Sequence, residues 1–188
     1  MEELARLCVP YLIETKLITQ KHPPETCDGG RGENMKAQKH FIITETGEEI
    51  DKGGLENIVA LEQERMKRLD EIPQLTELFF KESLDYEAGD LVWKGKKTIK
   101  QKNNKTKKNL ESLLIFLQEL SEKEFTEKKL EDKIKKWIGD NGLNTGEVLW
   151  PMRVALSGLR ASPSPFELAG ALGKDKTLKR IKVAMNKL

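Results

Sequence analysis

Residues 110–120 read LESLLIFLQEL, and the five leucines of this stretch fall on the i, i+3, i+4, i+7 pattern of one helix face. Residues three and four apart are neighbours on the same side of an α-helix. The five positions are Leu110, Leu113, Leu114, Leu117 and Leu120. The stretch therefore predicts an amphipathic helix that packs its leucine face against other helices.

Further helices are predicted on the carboxyl side of this stretch. Apolar residues at helical spacing line 130–138, and Asn-Gly at 141–142 is a typical helix end. A helix with an internal proline follows over 145–156. The sequence SPFE at 164–167 is a capping box with proline at the first helical position, which is a specific start signal. The last predicted helix covers 175–188.

In the amino-terminal half, 3–18 has the pattern of a short helix pair or a broken helix, and 55–69 shows helical spacing with Glu62 as the one charged residue on its apolar stripe. Between them, residues 19–54 are rich in Lys, Glu, Gly, Thr and Pro, which is the composition of loops. Within that insertion, 41–48 has the pattern of a small β-hairpin. We therefore predict a mainly α protein with a possible small β-hairpin in the 19–54 insertion.

A lysine run separates the two helical blocks. Residues 94–108 contain eight lysines and no acidic residue, so removing these charges from the net +2 leaves the rest of the chain at −6. The run is typical either of a solvated helix face or linker, or of contact with a polyanion such as RNA phosphates. It predicts a boundary between two helical subdomains, 1–108 with the insertion at 19–54 and 109–188.

Composition limits the cellular setting. Charged residues make up 34% and hydrophobic residues 37% of the 188 residues, which indicates a modest core and a charged surface. No apolar stretch approaches the roughly 20 residues of a membrane span, and the first residues lack the signal-peptide pattern. Two cysteines, Cys8 and Cys27, cannot form a disulfide framework. We therefore expect a cytoplasmic protein that does not associate with membranes.

Composition and motifs also disfavour catalysis within this chain. The phosphate-binding, dinucleotide-binding and nucleophile-elbow motifs do not occur, so no catalytic residue is predicted. A metal site made of Cys8, His22, Cys27 and His40 is one hypothesis, but structural metal ligands cluster at short spacing and these are scattered. Reduced cysteines and surface histidines explain the same residues, so no metal site is predicted. Binding is the better hypothesis.

Two stiff segments near the carboxyl end carry the parts of an RNA site. The sequence WPMRVALSG at 150–158 places Arg153 on a helix. The sequence ASPSPF at 161–166 is a loop with few rotatable bonds that ends at the start of a helix. An arginine, an aromatic ring and exposed helix N–H groups are what single-stranded RNA recognition uses. Taken singly, Arg153 also suits a surface ion pair, and Phe166 also suits the core.

The amino-acid sequence of these segments resembles the C-terminus of bacterial-type glutamyl-tRNA synthetases. In that family a proline–apolar–Arg–apolar–Ala–Leu–(Ser/Thr)–Gly string precedes a P-x-x-F-E helix start and an L-G-K-x-x-x-L-x-R ending. The resemblance covers 3–18 and 55–188. The matched strings are WPMRVALSG at 150–158, SP at 162–163, FEL at 166–168, LGK at 172–174, LKR at 178–180, ERMKRL at 64–69, LFF at 78–80 and LDY at 84–86.

The resemblance implies a fold, a partner and a place in a larger enzyme. In that family the C-terminal region is an all-helical cage that holds the anticodon loop of tRNA(Glu), here with two helical subdomains in a monomer. The HIGH-like and KMSKS-like ATP signatures of the family's catalytic core are absent from these residues. The chain thus corresponds to the anticodon-binding region, without a cofactor of its own, while ATP and Mg²⁺ serve the parent glutamate–tRNA ligase.

The resemblance also assigns site residues. Carried over by motif position, Arg153 contacts an anticodon base, and the loop and helix start beside the next bases comprise Ser162, Pro163, Ser164, Pro165 and Phe166. Phe166 is expected to stack on a base. Phosphate contacts are predicted at Arg65, Arg68, Lys105, Lys107 and Lys108. The alternative is a free-standing helical RNA-binding or protein-interaction module without ligase activity.

Overall fold

A computed structural model describes residues 2–21, 40–93 and 99–188. Its contacts divide the chain into two compact units, Met1–Glu82 and Ser83–Leu188. Helices dominate both units and one small antiparallel sheet accompanies them, which confirms the predicted mainly α class. Residues 22–39 and 94–98 lie outside the described ranges, and with them lie His22, Cys27 and half of the predicted insertion.

The first unit begins with helix α1 (Glu2–Glu14) and a three-stranded sheet, β1 (Ile18–Gln20), β2 (Phe41–Ile43) and β3 (Glu49–Ile50). The strands are antiparallel in the order β1-β2-β3, with Ile18 opposite Ile43 and Phe41 opposite Ile50. The predicted hairpin over 41–48 is thus confirmed as β2 and β3. Gly47 closes its turn at φ 72°, a conformation that suits glycine.

Helices α2 (Lys52–Glu62) and α3 (Ile72–Phe80) complete this unit by packing against α1 and each other. Glu62 lies on the buried face of α2 with none of its surface exposed, and the Arg65 guanidinium reaches its carboxylate at 2.7 Å. This pairing explains how a charge is tolerated on an apolar stripe, because a buried carboxylate needs a cation or hydrogen bonds.

The second unit contains helices α4 (Ile99–Glu119), α5 (Glu127–Asp140), α6 (Thr145–Ser157) and α7 (Pro165–Lys187). The pairs that pack are α6 on α7, α5 on α7, and α4 on both α6 and α7. The predicted leucine face is buried at all five positions, four of them in α4 and the fifth, Leu120, directly after its end. Helix α7 bends at Gly173, whose φ of 75° interrupts the helical backbone.

The division between units differs from the boundary predicted at residue 108. The contacts place it at Glu82 and Ser83, and Lys108 lies within α4. The physical reason is that residues 99–108 of the lysine-rich sequence continue into the leucine face of α4 and belong to the same helix. The boundary was predicted from the change in charge along the sequence, whereas the packing of apolar side chains determines which residues form a unit.

Candidate nucleic-acid interface

Helix α6 carries Arg153 and is anchored at an internal proline. Because Pro151 has no N–H, the carbonyl of Glu147 loses its donor within the helix. The side-chain amide of Asn109, on α4, donates to that carbonyl at 3.1 Å. Asn109 is buried, and this part-buried hydrogen bond fixes α6 against α4.

The carboxyl end of α6 is closed by a glycine and a serine. Gly158 adopts φ 71° and donates its N–H to the Val154 carbonyl at 2.8 Å, and a Cβ there would lie 3.3 Å from Leu84 Cβ. The Ser157 hydroxyl donates to the Arg153 carbonyl at 2.8 Å and accepts from the Leu159 N–H at 3.1 Å. These bonds pin the backbone on both sides of the turn that leaves the helix.

Arg180 of α7 adds a further anchor for this end. Its side chain is 4% exposed, and its guanidinium donates to the carbonyl of Leu156. That carbonyl belongs to the last turn of α6, where carbonyls have no partner within the helix. Arg180 therefore ties the end of α6 to α7 from inside the unit.

The loop after α6 ends on the capping box predicted from the sequence. The Ser164 N–H donates to Glu167 Oε2 at 2.6 Å, and the Glu167 N–H donates to the Ser164 hydroxyl at 3.2 Å. Pro165 occupies the first helical position of α7. The start of α7 is therefore a rigid element at which the loop 159–164 ends.

The guanidinium of Arg153 has no hydrogen-bonding partner among the described residues. The residue is half-buried, and its Nε is buried without an acceptor. An arginine stays charged at all relevant pH values and offers five donors, so leaving it partly desolvated and unpaired is costly. Such a group is suited to an acceptor supplied by a ligand, such as a base edge or a phosphate.

The other predicted anticodon residues lie along the loop and the start of α7. Ser162 and Ser164 are half-buried, and Pro163, Pro165 and Phe166 are buried. Phe166 is 5% exposed, so its ring is a core group without a free face for a base. The expectation that Phe166 stacks on a base therefore has no support in its packing, and its burial matches the alternative core interpretation.

The predicted phosphate contacts differ in their surroundings. Lys105 pairs with Glu147, whereas Lys107 and Lys108 have no ion pair within the ranges that the structure describes. In the first unit, Arg65 neutralises Glu62 and Arg68 pairs with Asp70 at 2.7 Å. The predicted phosphate-binding roles of these five residues remain predictions. Arg65 already pairs with the buried carboxylate of Glu62.

Trp150 of α6 forms a ring pair with Trp93, and this pair was not singled out from the sequence. The rings of Trp93 and Trp150 are 5.3 Å apart at 59°, and Trp150 Nε1 donates to the Asp90 carbonyl at 2.9 Å. Arg160 Nε donates to the Asp90 carboxylate at 2.9 Å, and this bond lowers the pKa of Asp90. The sequence feature that could have pointed to this pair is Gly146, a glycine in the first turn of a predicted helix.

The described residues hold neither a metal-binding cluster nor a membrane-spanning helix. Across 2–21, 40–93 and 99–188, no group of three His, Cys, Asp or Glu side chains is arranged to hold a metal ion. Cys8 is buried in α1, and burial raises the pKa of its thiol. The same ranges contain no helix with the length and apolar character needed to cross a membrane.

Comparison with known proteins gives one family. A family model described as "Anticodon binding domain" matches residues 3–185. Relatives include the glutamate–tRNA ligase of Elusimicrobium minutum, 35% identical over 71% of this chain and 26% of the relative. The glutamate–tRNA ligase of Clostridium acetobutylicum is 33% identical over 76% of this chain and 28% of the relative. The chain thus spans about a quarter of the length of these relatives.

A solved structure shares the fold. The crystal structure of a glutamate tRNA ligase from Elizabethkingia meningosepticum in complex with its amino acid matches with a TM-score of 0.65. The match covers all of this chain and 29% of the other, at 20% sequence identity. At this identity the likeness supports the fold alone.

Proposed function

We propose that this chain, which belongs to the anticodon-binding domain family, recognises the anticodon of tRNA(Glu) as part of a glutamate–tRNA ligase. The observation that carries the proposal is the partly buried, unpaired guanidinium of Arg153, on a helix fixed by Asn109, Ser157 and Arg180. Family membership favours this interpretation over a protein-interaction module.

The remainder of the proposal concerns the parent enzyme. The relatives of this chain are named glutamate–tRNA ligases. We propose that the parent enzyme likewise attaches glutamate to tRNA(Glu) with ATP and Mg²⁺. Within that reaction this chain selects the tRNA and holds no cofactor. We further expect it to act as a monomer in the cytoplasm.

Specificity is assigned to Arg153. A base-edge contact by an arginine contributes discrimination that a phosphate contact does not. Replacing Arg153 with alanine should weaken binding of tRNA(Glu) by about 1–3 kcal/mol, the range for a good bidentate base contact. Binding of a non-cognate tRNA should change much less. Filter binding or gel shift at one fixed salt concentration measures both affinities.

The lysines of α4 are expected to contact phosphates, so their replacement should affect RNA binding differently from the replacement of Arg153. A variant with alanine at Lys105, Lys107 and Lys108 should weaken every RNA alike and reduce the salt slope by about 0.7 for each single-strand phosphate that is no longer neutralised. Lys182→Ala, at an exposed position of α7, serves as the control surface change. An equal loss of cognate and non-cognate binding in Arg153→Ala would remove the specificity role of this residue.

A further inference from the structure

We propose that the exposed indole of Trp93 is a stacking platform for an unpaired base of the bound tRNA, next to the position served by Arg153. This inference rests on the proposed function, because it places a second contact for the same RNA. Trp93 is 40% exposed, which leaves ring surface open to solvent. An aromatic ring with a free face stacks any base, since every base has a π-face.

The indole is held in place by a close approach to the backbone of α6. A Cβ built on Gly146 would lie 2.8 Å from Cε2 of Trp93 and 3.0 Å from its Nε1, so only glycine lets the ring rest there. Glycine inside a helix is unfavourable compared with alanine. The ring of Trp150 supports the indole from the side at a centroid distance of 5.3 Å. The platform is therefore ordered before any ligand arrives, which reduces the entropic cost of binding.

The platform continues into the proposed anticodon site along α6. Gly146, Trp150 and Arg153 are separated by four and three residues, so they share one stripe of the helix. Seven residues of helix correspond to about 10 Å between the glycine and the arginine. A base on Trp93 and a base at Arg153 would thus lie about two helical turns apart on the same surface.

Two cations are paired with acidic residues near the platform. Lys105 pairs with Glu147, the residue after Gly146, and Arg160 pairs with Asp90, whose carbonyl accepts from Trp150. The side chains of Lys105 and Arg160 are 44% and 67% exposed, and exposed ion pairs contribute little, so phosphates can compete for these cations. The chain also runs directly from Trp93 into the lysine-rich sequence that starts at residue 94. This charge pattern favours a polyanion with bases over an apolar protein partner.

The test compares two apolar replacements of similar bulk. Trp93→Leu should bind tRNA(Glu) about 5- to 150-fold more weakly, which is the fold-change for one lost base–aromatic stack. Trp93→Phe keeps a π-face and should stay within about threefold of the unaltered chain. Because stacking tolerates any base, the Leu variant should lose cognate and non-cognate affinity equally and leave the salt slope unchanged.

A second variant perturbs the platform without touching the ring. Gly146→Ala adds a better helix former but pushes the indole off the helix, so it should weaken tRNA binding while the fold is retained in circular dichroism. On the unaltered chain, tRNA should quench tryptophan emission, and most of that quenching should disappear in Trp93→Phe. If Trp93 served only to fill space in the core, Trp93→Phe and Trp93→Leu would bind tRNA with equal affinity.

The outcomes separate this inference from the proposed function. If the unaltered chain discriminates between tRNAs but Trp93→Leu binds as tightly as Trp93→Phe, the platform is wrong and the proposed function stands. If Trp93→Leu weakens all tRNAs while Trp93→Phe does not, the platform is supported. If the unaltered chain binds no tRNA, both proposals fail together.

Discussion

Phe166→Ala is expected to lower the free energy of unfolding by about 3–5 kcal/mol, the range for truncating a buried aromatic side chain. The ring is 5% exposed and belongs to the first turn of α7, directly after the capping box of Ser164 and Glu167. Urea unfolding followed by tryptophan fluorescence measures the effect. All three tryptophans, at 93, 137 and 150, lie in the second unit, so this signal reports on that unit.

Phe166→Leu is the matched control for this prediction. Leucine keeps most of the apolar volume and should cost less than about 1.5 kcal/mol. Because the ring lies in the core, the Leu variant should bind tRNA as the unaltered chain does. If it instead stays stable but binds tRNA at least about fivefold more weakly, the ring stacks on a base, as the sequence predicts, and the core assignment is wrong.

Arg180→Ala is expected to destabilise the second unit by at least about 2 kcal/mol. The substitution removes a hydrogen bond from a charged donor, worth about 1.5–3 kcal/mol, and leaves the carbonyl of Leu156 inside the fold without this partner. The lost packing of a side chain that is 4% exposed adds to this cost. The same fluorescence-detected urea titration measures it.

The position of Arg180 also predicts an effect on recognition. Because its guanidinium ties the last turn of α6 to α7, its loss should loosen the segment that carries Arg153 and reduce discrimination between tRNAs in the fraction that remains folded. Lys182→Ala, two residues away on the exposed side, should stay within about 0.5 kcal/mol of the unaltered chain. Equal stabilities for the two variants would show that the buried arginine is not an anchor.

Helical periodicity predicted much of the fold because it depends on local spacing. The leucine face of α4, the capping box at Ser164 and the end of α5 before Asn-Gly at 141–142 all follow from residues within a few positions of each other. Strand β1 was missed because its partner, β2, lies more than twenty residues away and pairing at that distance leaves no local pattern. Helix α6 covers Thr145–Ser157, within one residue of the predicted 145–156, and its cap is Asn144.

The candidate site was harder to predict because exposure is a tertiary property. Periodicity could not decide which aromatic ring faces solvent, and the structure buries Phe166 but leaves Trp93 exposed beside Gly146. Helix α2 ends at Glu62, although the apolar spacing continues to Leu69. Beyond that end, Arg65 and Met66 both donate their N–H groups to the Glu62 carbonyl in a turn.

The most direct test of anticodon recognition changes the RNA and leaves the protein unaltered. Affinities are compared at one salt concentration for a tRNA(Glu) transcript and for the same transcript with its three anticodon bases replaced. Recognition of the anticodon predicts that the replacement weakens binding at least about tenfold, since each wrong base costs about 1–3 kcal/mol. Equal affinity for the two transcripts would contradict the account and leave a binder of RNA phosphates alone.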